Sequence, residues 1–413
     1  MNSHSPKRGR QFLGGTRSPI QRLTSWFFHR ALDRIDAGLA AGAIEAMLPD
    51  GSFRILGGRA KGPLAHVNLN DWRALLRLGR SGSVGWYQAW AAGEWDSPDP
   101  VPLFDLFMRN RVSLGQSARA SGLSRLSKRI GHALRRNDPR GARRNIMAHY
   151  DLGNDFYAAW LDPTMSYSSG RYGRTYDETL ETAQTRKYLE LVTRLELSRN
   201  SDVLEIGCGW GYLARTIASC GHRVRAITLS PSQKLYAEQA TAILAYPPLF
   251  ELRDYRDVTG QYDAIVSVEM VEAVGQAYWP DYLAVIAHCL KPGGRAAIQF
   301  IMIADDIFET YAQSADFIQT YVFPGGMLIS KSRFRTLAQA AGLRWDAPTH
   351  FGLDYAQTLK IWRTRFDDAV SEGRLPPGFD AQFVALWRYY LMYCEGGFRG
   401  GGIDVMQVTL IKI

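Results

Sequence analysis

The sequence predicts an α/β protein with a parallel sheet in a large C-terminal domain and a smaller α+β domain before it. From about residue 145 onward, short apolar strands alternate with helices, which is typical of a parallel sheet. A glycine-rich turn at 207–211 joins one of these strands to a helix. Nearer the N-terminus, two short strands flank a Pro-Asp-Gly-Ser turn, as in a hairpin. The predicted domains are therefore 20–110 and 145–413.

In the smaller domain, residues 20–43 are predicted to form a helix that carries Trp26, Phe27 and Phe28. The stretch GAIEAMLPDGSFRIL then predicts two strands around a turn at 49–52. A further strand is predicted in PLAHVNLN, where apolar and polar residues alternate, and a helix at 99–110. These elements make up the predicted α+β domain.

The larger domain is predicted from its alternating elements. The strands are predicted at 203–207, 222–229, 262–268, 295–303 and 403–413. The helices are predicted from Tyr212, at 232–243, at 278–290, around 355–372 and around 378–393, with a turn at 291–294. This order of strands and helices predicts a Rossmann-like sheet.

Length and composition limit the class of protein. The chain has 413 residues, of which 46% are hydrophobic and 22% charged, close to a globular average. This excludes wholesale disorder, a collagen-like repeat and a disulfide-stapled mini-protein. No apolar run reaches the roughly 18 residues of a spanning helix, and the basic N-terminus lacks the apolar stretch of a secretion signal. The four cysteines show no CxxC pairing, so we expect a cytoplasmic protein without a metal site.

Positive charge is concentrated in a predicted linker at 111–144. The whole chain has a net charge of +9, and this linker holds ten basic residues and one acid, while 1–19 is a predicted flexible basic N-terminus. Within the linker, four apolar residues recur at helical spacing: Leu123, Leu126, Ile130 and Leu134. An apolar stripe with a basic face is typical of a helix in an anionic lipid interface. A solvated linker helix is the alternative, and nucleic acid is disfavoured because no aromatic residue is interleaved with the charges.

The motif VLEIGCGWGYLA at 203–214 predicts a cofactor site. Gly207, Gly209 and Gly211 follow a strand and open a helix, so the backbone can approach a ligand closely. Glu205 lies within the strand, where its carboxylate can accept hydrogen bonds from an ammonium group. The turn lacks the Gly-Lys-Ser/Thr sequence of a P-loop, and the later LKPGG is common in class I methyltransferases. Together these features predict a fold that binds S-adenosylmethionine; glycines that serve packing alone are the alternative.

The end of the second strand departs from the usual nucleotide-binding pattern. Dinucleotide-binding folds place an acid there for the ribose hydroxyls. This sequence has Thr228, Leu229 and Ser230 instead, with Gln233 nearby. Hydroxyl and amide groups can also bind a ribose.

A set of ordered motifs then points to a known family. The motifs are HYDLGNDFY (149–157), LDPTMSYSSG (161–170), VLEIGCGWG (203–211), ITLSPSQ (227–233), DYRD (254–257), SVEMVEAVG (267–275), YVFPGG (321–326), DYAQTL (354–359) and YCEGGFRGG (393–401). They resemble the cyclopropane-fatty-acyl-phospholipid synthases and the related mycolic acid cyclopropane synthases. The resemblance covers residues 145 to the end and extends more weakly to GWYQAWAAGEWDSPD (85–99).

The resemblance implies a set of site residues. The residues that it implies for S-adenosylmethionine, besides Glu205 and the three glycines, are Tyr167 and Ser168 at the methionine end, Thr228, Leu229, Ser230 and Gln233 in the TLSxxQ segment, and Tyr255 and Arg256 beside the adenine. It implies that Glu272 and Tyr355 hold a bicarbonate ion, with Ser169, Gln299 and Ile301 around it. Ser169 and Gln299 depart from the family's usual Cys and His. Cys394 matches a cysteine often marked as active, although its surroundings are typical of an inert buried thiol.

The resemblance also implies a reaction. A methyl group passes from S-adenosylmethionine to the cis double bond of an unsaturated phospholipid acyl chain, and bicarbonate deprotonates the resulting carbocation to give a cyclopropane ring. The implied partners are phospholipids and the inner face of an anionic membrane, and a homodimer is compatible with the sequence.

Several other functions stay open. The product could be a methyl-branched or methylene chain, or the chain could be a small-molecule N-methyltransferase. The segment SVEM differs from the [DN]PP[FY] of enzymes that methylate a flipped base, which disfavours nucleic acid. Glu272 and Tyr355 argue against a binding protein without catalysis.

Overall fold

The computed structural model of the chain describes residues 19–115, 152–313 and 316–413. Its contacts divide the chain into two compact units. Of the described residues, the first unit contains 19–115, Gln313, 316–317 and Met392–Gly402. The second contains 152–312, Ile318–Leu391 and Ile403–Ile413. The part of the predicted linker that contains the apolar stripe, Leu123 to Leu134, and the basic residues 1–18 lie outside the described residues.

The first unit is built on a small sheet. Its elements are α1 (Pro19–Gly38), β1 (Ala43–Met47), β2 (Phe53–Gly57), β3 (Leu64–Leu69), α2 (Arg73–Ala91), β4 (Trp95–Asp96) and α3 (Val101–Arg109). Among the described strands the order is β2-β1-β3-β4, with β1 antiparallel to β2 and parallel to β3. The predicted hairpin is present. Helix α1 ends at Gly38 rather than at the predicted residue 43, because Gly42, with φ 80°, turns the chain into β1.

Helix α2 and strand β4 were not predicted, and they supply much of the first unit's core. Trp86 of α2 stacks on Trp95 of β4 with ring centroids 4.4 Å apart. The indole N–H of Trp95 donates to the Trp86 carbonyl at 2.9 Å, so its polar atom is satisfied inside the core.

The second unit holds a larger sheet with helices between its strands. Its strands are β5 (Asp202–Ile206), β6 (Arg223–Thr228), β7 (Leu249–Leu252), β8 (Tyr262–Val268), β9 (Leu290–Ile303), β10 (Ile329–Ser330), β11 (Leu343–His350) and β12 (Ile403–Lys412). Within the described part of the chain, their order is β11-β12-β9-β8-β5-β6-β7, and β10 pairs with β9. Strands β5 to β9 are parallel neighbours, while β12 runs antiparallel to β9 and β11. The predicted α/β class is confirmed.

The five helices predicted for the larger domain are present among the described residues, together with six that were not predicted. These helices are α4 (Asn154–Ala158), α5 (Leu180–Leu195), α6 (Tyr212–Ser219), α7 (Pro231–Thr241), α8 (Val271–Val274), α9 (Trp279–Cys289), α10 (Asp305–Ala312), α11 (Phe317–Tyr321), α12 (Lys331–Ala340), α13 (Gly352–Ser371) and α14 (Ala381–Arg399). Phe317 of α11 and the last part of α14, from Met392, belong to the first unit. Helix α14 begins and ends later than the predicted 378–393. The predicted turn at 291–294 is a bulge within β9 instead: Tyr262 pairs with Leu290 and Ala264 already with Arg295.

The central strands explain where a ligand site can form. Val203, Leu204 and Ile206 of β5 are all buried because helices cover both faces of the sheet. The carboxyl ends of parallel strands meet at one edge, and in sheets of this type ligands bind in a crevice there. None of the helices in the described ranges is both long and apolar enough to cross a bilayer.

Candidate active site

A cavity lies at the carboxyl ends of β5, β6 and β8. The predicted cofactor-binding residues that line it are Tyr167, Ser168, Glu205, Gly207, Gly209, Thr228, Leu229, Gln233 and Tyr255. Residues that line it without having been predicted include Thr164, Tyr188, Trp210, Arg253, Glu269 and Met270. Gly211, Ser230 and Arg256 are not part of the lining.

The glycine turn forms one wall of this cavity. Gly207 has φ 82°, and a Cβ there would lie 2.3 Å from Cγ of Met270, so only glycine fits. Gly209 has φ 50°, and a Cβ there would meet no described atom within 4 Å. The backbone at Gly209 is therefore bare toward the cavity, where a ligand can approach it closely.

Glu205 places a buried carboxyl group at the same cavity. Its side chain is only 3% exposed, and burial raises its pKa well above the usual value. Its Oε2 has no hydrogen-bond partner among the described residues. A buried oxygen of this kind requires a donor or a cation. The ammonium group of S-adenosylmethionine supplies both, so the residues of this cavity fit that co-substrate.

The three predicted residues outside the lining support those within it. Ser230 caps α7 by accepting a hydrogen bond from the Gln233 backbone N–H at 3.3 Å. Arg256 forms an ion pair with Asp254 at 2.8 Å and lies over the Tyr255 ring, with its guanidinium carbon 5.2 Å from the centroid. Gly211, with φ 86°, precedes α6 and packs close to Ala237 and Phe250. They therefore position the turn, the helix and the tyrosine.

Glu269, which is partly exposed, is the centre of a hydrogen-bonded cluster whose donors are buried. Its Oε1 accepts from the Ser169 backbone N–H at 3.0 Å and from Nε2 of Gln299 at 2.9 Å. Its Oε2 accepts from the Tyr355 hydroxyl at 3.0 Å. These three donors are residues for which the resemblance implied contact with bicarbonate. The structure brings them together around a side-chain carboxylate.

Glu272 lies beside this cluster and differs from Glu269 in its hydrogen bonds and its protonation. One of its oxygens accepts a hydrogen bond from the Ile301 backbone N–H, and Oε2 has no partner among the described residues. Burial, followed by the nearby Glu269 carboxylate, raises the pKa of Glu272 to about 8. Glu272 is therefore mostly protonated at neutral pH. In the structure Tyr355 donates to Glu269, whereas the resemblance implied that it works together with Glu272.

Lys187 supplies positive charge near the cluster. Its ammonium group donates to the Ser168 hydroxyl and to Oε1 of Gln184, both at 2.6 Å. It lies over the Tyr188 ring at 4.1 Å from the centroid. Burial lowers the pKa of Lys187, and the charge of Glu269 opposes that shift. Nothing in the sequence indicated Lys187, because charged residues surround it on helix α5.

Cys394 belongs to the first unit, which contains Met392–Gly402. Burial raises the pKa of the Cys394 thiol above its usual value. A protonated thiol is a poor nucleophile and a poor base. A catalytic role for Cys394 stays a prediction.

Aromatic side chains surround the approach to the cluster. Tyr167 lies 5.3 Å from Trp362 between ring centroids, and Tyr355 lies 5.9 Å from the same ring. The Tyr167 hydroxyl is 2.8 Å from that of Tyr390, so its polar atom is satisfied. The rings of Tyr167, Tyr355 and Trp362 thus offer apolar surface and π faces.

A parallel sheet with a glycine turn at its carboxyl edge and a buried acid beside it defines a class I S-adenosylmethionine-dependent methyltransferase. The sequence model described as "mycolic acid cyclopropane synthetase" matches residues 137–408. This match covers more than half of the chain, and the chain belongs to that family. The predicted family and fold are confirmed.

Similarity to individual members of the family supports this assignment. Tuberculostearic acid methyltransferase UfaA1 of Mycobacterium tuberculosis is 38% identical over 81% of this chain and 80% of its own length. The cyclopropane-fatty-acyl-phospholipid synthase of Escherichia coli is 33% identical over 84% of this chain and 88% of its own. The solved structure of mycolic acid cyclopropane synthase CmaA1, complexed with SAH and CTAB, has a TM-score of 0.61 at 29% identity, covering 65% of this chain and 98% of that one. The protein is therefore an S-adenosylmethionine-dependent methyltransferase.

Proposed function

We propose that the protein transfers a methyl group to the double bond of an unsaturated phospholipid acyl chain. The observation that carries this proposal is that Glu269 belongs both to the wall of the cofactor cavity and to a buried cluster of proton-carrying groups. An alkene that accepts a methyl cation must afterwards lose a proton, so it needs a proton acceptor close to the methyl donor. The names of two relatives, a tuberculostearic acid methyltransferase and a cyclopropane-fatty-acyl-phospholipid synthase, support this substrate class.

The first task of the site is to hold the methyl donor. S-adenosylmethionine, when bound, supplies an electrophilic methyl group. We assign the ammonium contact to Glu205, the close backbone approach to Gly207 and Gly209, and further polar contacts to Gln233. Tyr255 offers a ring to the adenine.

The second task is to keep water away from the cation that methyl addition leaves on the acyl chain. Water would add to that cation and end the reaction as an alcohol. The rings of Tyr167 and Trp362 exclude water, and the negative face of an aromatic ring stabilises a nearby cation. This favours proton loss over addition of water.

Proton loss can give a ring or an unsaturated chain without any oxidant or reductant. Loss from the added methyl group closes a cyclopropane ring, which is the product that we propose. Loss from the methylated carbon gives a methyl-branched double bond instead. A hydride shift from the methylated carbon to the cation, followed by proton loss from the methyl group, gives a methylene, and the similarity to tuberculostearic acid methyltransferase favours these open-chain products as the second candidate. A saturated methyl branch would require a hydride donor in addition.

Bicarbonate, which the resemblance implied as the base, stays a prediction without support from the cluster. Ser169, Gln299 and Tyr355 already donate to Glu269. A bicarbonate ion at the same donors would add a second anion beside the Glu269 carboxylate. The residues in this arrangement do not fit that ion, and no step is assigned to it.

We also propose that the substrate is reached at an anionic membrane surface. The ten basic residues in 111–144 support this proposal through the attraction of basic groups to anionic lipid. The homodimer stays a prediction.

The test uses S-adenosylmethionine with an isotopically labelled methyl group. Vesicles of dioleoylphosphatidylglycerol should gain label in their acyl chains, whereas vesicles of dipalmitoylphosphatidylglycerol, which lack a double bond, should gain none. Mass spectrometry should show the addition of one CH2 group per modified chain. Ozonolysis separates the products, because it cleaves a methylene double bond and leaves a cyclopropane intact. Label appearing only in added small amines would instead establish N-methylation.

A further inference from the structure

Glu269 has an unusual backbone for its residue type. It follows the last residue of β8, and its φ of 51° lies in the left-handed region that disfavours residues with a Cβ. Such a conformation persists where surrounding contacts hold it, and these positions concentrate at functional sites. Ser169, Gln299 and Tyr355, from three distant parts of the chain, provide those contacts. The fold thus fixes the carboxylate at the cavity wall.

A series of hydrogen bonds leads from Arg194 to Glu269, and it determines which group donates in each bond. Arg194 can only donate, and its Nε is 3.2 Å from Oε1 of Gln407. Gln407 must then donate through Nε2 to Oε1 of Gln299, at 2.9 Å. Gln299 is left with its amide N–H groups toward Glu269. Since the Ser169 backbone also can only donate, Oε1 of Glu269 receives two N–H groups and stays unprotonated.

The other oxygen, Oε2, can take up a proton. Its described partner is the Tyr355 hydroxyl, which can donate to a carboxylate or accept from a carboxylic acid by rotating its O–H bond. The three described hydrogen bonds use three of the roughly four acceptor positions of a carboxylate. Glu269 therefore keeps its place in both protonation states, which a proton acceptor requires.

We infer that Glu269 is the proton acceptor of the reaction, in place of a bound bicarbonate ion. The inference rests on the proposed function. A C–H bond of the methylated cation breaks, the proton forms an O–H bond with Oε2 of Glu269, and the C–H electron pair neutralises the cation by closing the ring or forming a double bond. The neutral acid then returns the proton to water, so that one proton is released for each methyl group transferred.

Three charged or titratable groups decide the basicity of Glu269. Burial raises the pKa of Glu269, while the positive charge of Lys187 and the hydrogen bonds, including that of Tyr355, oppose the rise. Glu272, the second carboxyl group beside it, is held mostly neutral at pH 7. Two neighbouring acids with separated roles are typical of sites that move protons.

The first variant is Glu269→Gln, which keeps the shape of the side chain. Its amide oxygen can accept from Ser169 and Gln299, but the group cannot take up a proton. We expect turnover on dioleoylphosphatidylglycerol vesicles to fall about a hundredfold or more, while calorimetry shows S-adenosylmethionine binding within a few-fold of wild type. Any residual product should contain the methyl carbinol that water forms from the cation. A Glu269→Gln protein that turns over at the wild-type rate would overturn the inference.

The second variant is Glu269→Gly, which suits the left-handed backbone and removes the carboxylate. The donors of Ser169, Gln299 and Tyr355 would then face a space for a small anion. We expect this variant to be inactive in buffer stripped of bicarbonate and to regain activity when bicarbonate or formate is added. Wild type should be indifferent to both. A variant that binds S-adenosylmethionine but gains nothing from either anion counts against the inference.

The outcomes also separate this inference from the proposed function. If wild type transfers no methyl group to any unsaturated vesicle, the proposed function is wrong. If wild type is active but slows when bicarbonate is removed, the function stands and the base is bicarbonate, which overturns the role of Glu269. The pH profile adds a check: wild-type turnover should rise with pH as Glu269 ionises, and the formate-rescued Glu269→Gly protein should lose that rise.

Discussion

Replacing Glu272 with glutamine removes a largely enclosed carboxyl group, with one oxygen inaccessible to solvent, whose ionisation the fold opposes. The pKa of Glu272 is about 8 in the folded protein against an ordinary value of 4.5. A folded-state pKa above the unfolded value means that the folded state binds the proton more tightly. The stabilisation is then fully present below about pH 4.5 and is lost as the pH rises through 8. The glutamine variant is neutral throughout and should not lose stability in this way.

The magnitude follows from the size of the shift. One pKa unit corresponds to about 1.4 kcal/mol, so between pH 5.5 and 8.0 the wild type should lose up to about 3 kcal/mol relative to Glu272→Gln. The true loss is smaller where the site relaxes or admits water, and we expect about 2 kcal/mol. Contributions from other titrating groups cancel in the difference between the two proteins, except for Glu269, whose charge acts on Glu272.

The assay is urea unfolding of both proteins at several pH values between 5.5 and 8.0, followed by fluorescence. The free energy of unfolding of Glu272→Gln should increase steadily relative to that of the wild type as the pH rises. Glu372→Gln is the matched control, because Glu372 is largely exposed and forms a surface ion pair with Arg374, which contributes little to stability. Parallel stability curves for wild type and Glu272→Gln would refute the reasoning and indicate that Glu272 is ionised at neutral pH.

Three further predictions follow from the cavity, the cluster and the basic segment. Gly209→Val should abolish S-adenosylmethionine binding by calorimetry, because the left-handed backbone disfavours a branched side chain and that side chain would occupy the open space beside the backbone that the ligand needs; unchanged affinity would remove the glycine turn from the site. Tyr355→Phe should lower turnover about tenfold or more without changing the cofactor affinity, since it deletes one hydrogen bond to the Glu269 carboxylate; full activity would show that this bond is dispensable. A variant in which Gln replaces four basic residues of the linker, Arg125, Lys128, Arg129 and Arg135, should bind anionic vesicles more weakly by about 1 kcal/mol per residue at low salt, and added salt should erase the difference. Equal co-sedimentation of the two proteins at low salt would contradict a lipid role for these residues.

The sequence alone determined the features that depend on local patterns. Alternating apolar residues and the Pro-Asp-Gly-Ser turn predicted the hairpin of β1 and β2, because a tight turn fixes the pairing of the strands beside it. The apolar segment VLEI and the glycines after it predicted a buried strand, a sharp turn and a ligand site. Glu205 was also predicted, since its place depends only on its position within that strand.

Other features depended on contacts between distant residues. The bulge in β9 arises from pairing with β8, and helix α2 carries glycines and a kink at Gly82 that obscure its helical pattern. The sequence did contain one signal for Glu269, an acid directly after a strand at the carboxyl edge of the sheet. The resemblance drew attention to Glu272 instead, three residues further on.

Only the tertiary structure decided which of these two acids occupies the cluster. The left-handed backbone at Glu269 and the donors Ser169, Gln299 and Tyr355 hold one carboxylate, while Glu272 receives a single described hydrogen bond from a backbone N–H. The donors are separated from Glu269 by 100, 30 and 86 positions in the chain. Spacing in sequence carries no information about such an encounter. Hydrogen bonds stabilise the charge of Glu269, while the surroundings of Glu272 keep that neighbouring acid mostly neutral. Both effects exist only once the sheet and its helices have assembled.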